Sequence, residues 1–537
     1  MKLDRLHEYI LPTVVTLGGM GFAAYCGHLT GNGQTSTLAT ILVAVVLLTT
    51  FLTFRERIWV LVPTTFALTG QMPILPLPFA VHDITIFAVF IGFLVLKALK
   101  IVKLKPRLEA VDWWLIAVLL YLITAYIRNP VGVDALGSER VGGRPYFNVF
   151  VAGMAYWILS RALLSPRHAL FLLGLICFGR MSEGILDFVV YRIPALAPVL
   201  SEFYSTVTQQ GDSAQDAARL SADEGTGRQV FLALIGNPLI LVLWSLYRPL
   251  TVINPLYIGR FAIFIFAMWC VFASGFRSSF AAAVATMYFA AYFRRGAQDV
   301  MRLSMLAVPI LMLVIAGQGT LFELPRSAQR AMSFLPGQWD PVSVAEAKGS
   351  TEWRTMMWKA MLTEDKYIHN KWLGDGFGFS QRDLAVMLAN QVSGAPEDAQ
   401  ENLLIVGGIH SGPISTVRYV GVVGLALFIG LLIVMARTAW RLIRRAEGTE
   451  YYPLALFIGL PLIWEPVNYI FIFGGYDSAL PTAVFGVGML KMLTHSLDAY
   501  AAQSAAKTAK TADTPAPRRA PEWQRPPLPA GAHLSSR

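Results

Sequence analysis

Long apolar segments recur along this chain and limit what it can fold into. A helix needs about 20 apolar residues to cross the roughly 30 Å of hydrocarbon in a bilayer. Fourteen segments of suitable length are present, and a content of 55% hydrophobic and 15% charged residues differs from that of soluble proteins. The sequence therefore predicts an all-α polytopic membrane protein with about 14 transmembrane helices. The predicted spans are residues 10–29, 35–54, 58–74, 79–99, 110–127, 147–164, 168–190, 229–247, 256–275, 278–293, 303–318, 413–436, 452–473 and 480–496.

The first apolar segment is predicted to remain in the chain as a spanning helix. No small-residue cleavage site follows it, so we expect no removed signal peptide. Cys26, Cys177 and Cys270 all lie within apolar segments. We expect them to pack against apolar side chains rather than to form a disulfide or bind a metal.

Lysine and arginine divide the connections between spans into two alternating sets. One set is basic, as in residues 97–107, where five of the residues are Lys or Arg. The other set includes "GHLTGNGQT", "GQMPILPLPF" and "GGYDSALP", which contain neither. Because positively charged short loops stay in the cytoplasm, fourteen spans place both termini there. The net charge of +10 is thus largely a topology signal, and we expect no nucleic-acid binding.

Two connections on the outer side are too long to be simple turns. One covers about residues 191–228. The other, about residues 319–410, is predicted to be a large extracytoplasmic loop that forms a small domain, with tryptophans suited to a core, the membrane interface or sugar stacking. The predicted organisation is helices 1 to 11 in residues 1–318, this loop, helices 12 to 14 in residues 411–498, and a disordered cytoplasmic tail in residues 499–537.

A histidine closes the large loop directly before predicted span twelve. His410 begins "HSGPISTVRYVGVVGLALF" and lies at the outer membrane surface in the predicted topology. A neutral imidazole can accept a proton from a hydroxyl near neutral pH. His410 is therefore a candidate general base, with a structural hydrogen bond as the alternative. The other outer histidines are His28, His82 and His369, whereas His7, His168, His495 and His533 fall on the cytoplasmic side.

Two arginines in outer segments are candidates for binding phosphate. Arg277, in "FASGFRSSF", lies between spans nine and ten beside Ser278 and Ser279, where a charge is costly without a partner or a function. Guanidinium N–H groups match pairs of phosphate oxygens, and hydroxyls and amides at a helix start add donors. Arg354, in "GSTEWRTMMW", follows a helix-start pattern. The alternatives are interfacial snorkelling for Arg277 and an ion pair with Glu352 for Arg354.

Four elements, in this order, resemble the bacterial O-antigen ligase and O-antigen polymerase superfamily. They are "SGFRSS", "RTMMW", "HNKWLGDGFGFS" and "HSGPISTVRYVGVVGLALF", within about residues 270–435. The spacings between the two arginines and the histidine are also similar to those of the family. Ser278 and Ser411 stand where the family commonly has glycine and asparagine. Fourteen spans are closer to the polymerases than to the ligases.

The resemblance implies an inverting type C membrane glycosyltransferase that needs no metal or cofactor. Its donor would be a glycan linked to undecaprenyl pyrophosphate, used at the periplasmic face of the bacterial inner membrane. His410 would be the general base, and Arg277 and Arg354 would bind the pyrophosphate. The first outer loop has no carboxylate, whereas metal-dependent type C enzymes resemble one another in having acidic residues there. Further substrate contacts are implied for Ser278, Arg219 and Arg228.

The implied partners are the lipid-linked donor, a glycan or lipid acceptor, membrane lipids, and polysaccharide export and chain-length proteins. A polymerase joins lipid-linked units, whereas a ligase passes the glycan to lipid A core or another acceptor, and both stay open. Charges inside spans favour a transporter or lipid-linked glycan flippase instead, since they usually face a cavity or each other. A structural scaffold for polysaccharide export is a third alternative. The charged residues are Arg180, Glu183 and Asp187, which share one helical face, and Glu465.

The glycine-patterned segment "WLGDGFGFSQRD" is predicted to form a tight turn. Gly374, Gly376 and Gly378 alternate as in some nucleotide-binding loops, but no strand pattern precedes them and no Lys-Ser/Thr pair follows. A tight backbone turn near the active site is therefore expected.

Overall fold

The computed structural model describes residues 19–74, 79–100, 107–132, 140–205, 229–393, 401–402, 404–405, 407 and 409–512. Within these ranges the chain is almost entirely helical. Residues 19–31 are helical, and the helices that follow are α1 (Thr35–Phe54), α2 (Leu61–Thr65), α3 (Val81–Ala98), α4 (Ala110–Arg128), α5 (Arg144–Leu159), α6 (Ala169–Arg192), α7 (Ala197–Phe203), α8 (Val230–Leu246), α9 (Pro249–Val252), α10 (Ile258–Ala273), α11 (Arg277–Arg295), α12 (Ala297–Gly317), α13 (Arg326–Met332), α14 (Pro341–Thr363), α15 (Gln381–Ser393), α16 (Gly412–Ala446), α17 (Tyr452–Val467) and α18 (Tyr476–Ala512). Turns of 3-10 helix lie at Arg55–Val60, Pro166–His168 and Pro194–Leu196, and a π-helical turn lies at Asn468–Ile472. Strands β1 (Arg140–Val141) and β2 (Phe379–Ser380) pair antiparallel.

Six helical segments of the described chain are long and apolar enough to cross a membrane. The shorter apolar helices Thr35–Val46, Val230–Leu246 and Ile258–Ala273 accompany them. The protein is therefore an all-α membrane protein, as the apolar segments predict, although fewer than fourteen helices meet both criteria. The six are Val81–Ala98, Ala110–Arg128, Pro166–Arg192, Ala297–Gly317, Gly412–Ala446 and Tyr452–Ile472.

The predicted span at residues 58–74 is not one helix. After α2 the chain leaves the helix, and the amides of Thr69 and Gly70 donate to the carboxylate of Glu183 on α6, at 2.5 and 2.8 Å. The Tyr204 hydroxyl donates to the same carboxylate at 2.5 Å. Buried backbone amides need a partner, and this carboxylate supplies it in place of a helical carbonyl. Glu183, one of the charges that favour a transporter, thus has a structural role here.

The helices pack in two connected groups. In the first, α16 lies against α4, α17 and α18, and α18 also lies along α5. In the second, α8 lies between α6 and α10. Helix α17 joins the groups because it packs against α8 and α6 as well as α16. The residues at the start of α16 therefore sit at one end of the largest group of packed helices.

A buried ionic network joins α4, α5 and α18. The Lys491 ammonium lies 2.9 Å from a carboxylate oxygen of Asp112 and 3.3 Å from one of Glu109. The Tyr156 hydroxyl donates to Asp112 at 2.9 Å. Lys491 and Asp112 are both buried, and buried charges are stable only when they are paired and hydrogen-bonded. The network therefore fixes the relative positions of three helices.

Tyr156→Phe removes one hydrogen bond of this network and leaves the ring in place. We expect the free energy of unfolding in detergent to fall by about 2 kcal/mol, because hydrogen bonds to charged groups contribute more than neutral ones. Tyr191→Phe is the control, since its side chain is largely exposed, and this variant should unfold like the wild type. Equal stability of the two variants would show that Asp112 does not depend on this bond.

Helix α16 is broken at Gly421, where φ is 69° and ψ is −178°. Beyond the break, the amides of Val422 and Val423 donate to the carbonyls of Lys371 and Trp372, at 2.9 and 3.3 Å. In return, the amides of residues 375 and 376 donate to the carbonyls of residues 418 and 419, at 2.9 and 2.8 Å. The segment 371–376 therefore replaces the hydrogen bonds that the helix loses at the break.

The predicted tight turn in "WLGDGFGFS" is present in this segment. Gly374, Gly376 and Gly378 have φ values of 78°, 72° and 95°, which are accessible to glycine at little cost. The Asp375 carboxylate closes the turn by accepting from the amides of His369 and Asn370, at 2.8 and 3.0 Å. The backbone hydrogen bonds of this turn go to α16, as described above.

Residues 353–417 contain a small core separate from that of the helix bundle. Its buried members come from α14, from the chain that follows it, and from the first turns of α16. Trp353 and Trp358 pack against this core. It therefore attaches α14 to the start of α16. The buried members are Met357, Met361, Ile368, Leu404, Ile409 and Val417.

Candidate functional site

His410 lies immediately before α16 in a constrained backbone. Its φ is 52°, a left-handed value that is uncommon outside glycine and is associated with functional sites when neighbouring contacts maintain it. On one side, the carbonyl of buried Ile409 accepts from the Trp358 indole at 3.1 Å. On the other, Gly412 packs so closely on Tyr469 that a Cβ would lie 2.3 Å from the Tyr469 carbonyl oxygen. These contacts hold the chain on both sides of the histidine.

Two aromatic rings contact the His410 imidazole. The Phe473 ring is stacked on it, with centroids 5.2 Å apart and an interplanar angle of 27°. The Trp353 ring lies 6.1 Å away at 47°. Trp353 belongs to α14, and Phe473 follows the π-helical turn at the end of α17. The imidazole is therefore held by side chains from two separate parts of the chain.

The predicted arginines lie at the same end of the bundle. Arg277 is the first residue of α11, and the charges of Arg354 and Arg330 both act on its guanidinium group. Arg354 directly follows Trp353, whose ring contacts His410. Helix α13, which carries Arg330, packs against α10, α11 and α14. The structure thus brings Arg277 and Arg354 near each other and connects Arg354 to His410 through one aromatic residue.

The Arg354 guanidinium has a buried N–H group that can donate a hydrogen bond to a ligand. The side chain is half-buried, and this burial lowers the pKa of Arg354 from its usual value. Its Nε atom is buried and has no hydrogen-bond partner among the described residues. A buried N–H group without a partner costs free energy, and an arginine stays protonated even so. An anionic group bound here would remove that cost.

The serines after Arg277 have different surroundings. Ser278 is half-buried at the second position of α11. Ser279 is buried, and its hydroxyl accepts from the Asn237 side-chain amide at 3.1 Å, which links α11 to α8. Ser278 therefore remains the candidate for substrate contact, whereas Ser279 holds two helices together. Arg219 and Arg228 lie outside the described residues.

The other outer histidines have structural partners. The two ring nitrogens of His82 lie 2.9 Å from the Leu68 carbonyl and 3.2 Å from Asp83. His28 lies 3.0 Å from the Asn32 amide, and His369 lies 3.4 Å from Asp375. These contacts explain the three residues as parts of local structure. The His410 ring contacts Trp353 and Phe473, and Trp353 directly precedes Arg354 in α14.

The charges inside predicted spans divide into two kinds. Glu183 holds the segment after α2, as described above. Arg180 lies over the Phe457 ring at 5.4 Å, and it lines a cavity of about 100 Å³ between α6, α16, α17 and α18 together with Glu465 and Thr482. Asp187 is buried on α6. The helical face shared by the α6 charges therefore does not act as a single unit.

The sequence analysis assigned no role in the site to Arg330 or Phe473, and it grouped Trp353 with the loop tryptophans suited to a core, the membrane interface or sugar stacking. Phe473 is an apolar residue at the end of an apolar run, so nothing in the pattern separates it from the span. Arg330 lies between the buried residues Gln329 and Ala331 in "RSAQRAM", and a cation within a run that is otherwise mostly uncharged was a usable signal. Trp353 could have been linked to the site by its position next to Arg354.

This end of the bundle has the groups needed to bind an anion and to accept a proton. Two half-buried guanidinium groups lie near each other, and Trp353, the residue before one of them, contacts the His410 imidazole, which Phe473 also contacts. Within the described ranges, no cluster of three or more His, Cys, Asp or Glu residues that could hold a metal ion occurs. The chain matches no protein-family model and no curated protein.

Proposed function

We propose that this protein is a type C membrane glycosyltransferase of the O-antigen ligase and polymerase superfamily, acting as a surface polysaccharide polymerase. It transfers glycan from an undecaprenyl-pyrophosphate-linked donor to a sugar hydroxyl at the periplasmic face of the bacterial inner membrane. The proposal includes fourteen spans, cytoplasmic termini and an extracytoplasmic domain at residues 319–410. The observation that supports it is that Arg277 lies near Arg354, and that Trp353, the residue before Arg354, contacts the ring of His410.

The proposed reaction assigns one role to each of these groups. The His410 imidazole takes the proton of the acceptor hydroxyl as its oxygen attacks the anomeric carbon of the donor sugar. The bond from that carbon to the pyrophosphate oxygen breaks on the opposite face, so the configuration inverts. The electron pair leaves with the pyrophosphate, where Arg277 and Arg354 stabilise the developing negative charge. The arginines neutralise this charge without a divalent metal.

Reconstitution with donor tests the proposal. Purified protein in liposomes, given lipid-pyrophosphate-linked oligosaccharide and EDTA, is expected to produce a ladder of glycan lengths on a gel without any added acceptor. The His410→Ala protein, purified in parallel, is the negative control. A ladder that appears only when a divalent metal replaces EDTA would contradict the metal-independent mechanism.

The same assay separates polymerase from ligase. If the donor remains unchanged until lipid A core or another acceptor is supplied, the protein is a ligase that uses the same base and arginines. The resemblance in sequence covers both activities, and the fourteen spans predicted from the sequence favour the polymerase.

A lipid-linked glycan flippase is the second candidate, and the cavity lined by Arg180 and Glu465 favours it. Charged groups that line a cavity within a membrane protein often belong to a substrate path. A flippase would move labelled donor across the liposome membrane, and His410→Ala would leave this movement unchanged. Donor translocation without glycan transfer, under every acceptor condition, would therefore replace the glycosyltransferase proposal.

A further inference from the structure

The turn between α17 and α18 brings an exposed aromatic ring to His410. After the π-helical turn, Phe473 adopts an extended backbone, with φ −161° and ψ 137°. Its N–H donates to the Asn468 carbonyl at 2.9 Å. Gly474 allows the turn to approach α16, because a Cβ there would lie 3.2 Å from the Gly412 Cα. Phe473 is 44% exposed although it stacks on the imidazole, so part of its ring is available to a ligand.

Polar groups lie on the same turn. Asp477 is half-buried in the first turn of α18, and the next residue, Ser478, is exposed. The face of a sugar ring carries C–H groups that suit the negative face of an aromatic ring. Its hydroxyls can donate hydrogen bonds to the two oxygens of a carboxylate. An exposed phenyl ring with a carboxylate and a hydroxyl nearby therefore has the composition of a sugar site.

We propose that residues 473–478 form the acceptor subsite and that the acceptor is a carbohydrate, stacked on Phe473 and hydrogen-bonded to Asp477. This inference rests on the proposed function and deepens it, because a lipid or peptide hydroxyl could reach Asp477 but brings no sugar ring to stack on Phe473. Phe473 touches both the base and the acceptor, so it delivers a sugar hydroxyl to His410. The subsite changes no bond in the reaction given above; it only orients the hydroxyl whose proton passes to the imidazole.

Phe473→Leu tests the stacking contact in the reconstituted full-length protein. Leucine keeps an apolar side chain at this position but loses the flat ring. With a soluble oligosaccharide of the donor's repeat unit as acceptor, we expect the acceptor KM to rise roughly two- to tenfold. The ratio of glycan transfer to hydrolysis of the donor by water should fall. The Phe473→Tyr variant keeps an aromatic ring, so its acceptor KM and its ratio of transfer to hydrolysis should equal those of the wild type. Phe471→Leu is the matched control: Phe471 is 78% exposed and two residues away, and its variant should behave like the wild type.

Asp477→Asn tests the polar contact independently, so a folding defect in one variant leaves the other informative. It should also raise the acceptor KM and leave the donor KM unchanged. If both variants have the acceptor KM of the wild type, the acceptor binds elsewhere and the proposed subsite is wrong. A parallel loss of transfer and hydrolysis in Phe473→Leu, at constant acceptor KM, would mean that Phe473 only positions His410.

The class of acceptor has its own test. A serine-containing peptide should serve poorly beside the oligosaccharide, and equal use of both would overturn the carbohydrate assignment. If the wild-type protein transfers no glycan to any acceptor, the proposed function itself fails. If instead the wild-type protein is active and the subsite variants keep its acceptor KM, only this inference fails.

Discussion

His410→Ala is expected to abolish glycan transfer from a lipid-pyrophosphate-linked donor while the protein is inserted in the membrane at its normal level. The acceptor oxygen must lose its proton as it attacks, and a positioned base contributes about 10²- to 10⁴-fold to such a step. The half-buried imidazole contacts Trp353 and Phe473, and an alanine side chain cannot take the proton in its place. Transfer is measured in liposomes that contain equal amounts of wild-type and variant protein.

His369→Ala is the matched control for this experiment. Its side chain is 68% exposed, and the residue follows α14, the helix that carries Trp353. Its local bond to Asp375 is supplemented by two backbone amides that bind the same carboxylate. We therefore expect wild-type transfer from this variant. Full activity of His410→Ala would contradict the assignment of His410 as the general base. Loss of the variant protein from the membrane would show that His410 has a structural role.

The two arginines are expected to behave as a pair in the same assay. Arg277→Ala or Arg354→Ala should lower transfer by about 10²- to 10³-fold, the usual effect of removing one group that stabilises developing charge. Lysine at either position keeps the charge but loses the planar fork of donors, so partial activity is expected. Lysine variants as active as the wild type would show that the site needs only positive charge and no paired hydrogen bonds.

The sequence alone was sufficient to predict the class of fold and to select the candidate site residues, since both depend on local composition. Long apolar runs predict membrane helices, and a lone arginine or histidine in an outer segment stands out against them. Arg277, Arg354 and His410 could be named for this reason. Their relative positions could not be derived from spacing, because they depend on how α13 packs against both α11 and α14 and on which ring contacts the imidazole.

Other features depend on contacts between distant segments and have no local signal. The pattern at residues 58–74 is apolar enough for a span. However, the carboxylate of Glu183, more than a hundred residues later in the chain, accepts hydrogen bonds from the amides of Thr69 and Gly70, which are not part of a helix. The run after His410 predicts a continuous helix, and Gly421 within it resembles an ordinary helix-packing glycine. Only the presence of segment 371–376 shows that the helix is interrupted there.

Gly421→Ala should prevent the correct docking of segment 371–376 on α16. The residue has a left-handed φ, which is strained for alanine. A Cβ there would also lie 2.1 Å from the Trp372 carbonyl oxygen and 2.3 Å from its carbon, so backbone must move. Gly374 has the complementary problem, because its Cβ would lie 2.4 Å from the Val420 Cα. Because backbone strain and a steric clash occur together, we expect the free energy of unfolding to fall by about 4 kcal/mol or more.

The measurement is thermal unfolding in detergent together with glycan transfer in liposomes, for Gly421→Ala and Gly374→Ala. Gly349→Ala is the control, because this glycine lies within α14 and a Cβ there would meet nothing within 4 Å. It should be as stable as the wild type or slightly more so, since alanine favours helix. The Asp375 amide of segment 371–376 donates to the carbonyl of Arg418 in α16, and the Arg418 guanidinium donates to the carbonyls of Leu404 and Ile405 in the chain that precedes His410. Transfer should therefore fall with stability in the first two variants, and unchanged stability would mean that α16 closes into a regular helix when the segment is displaced.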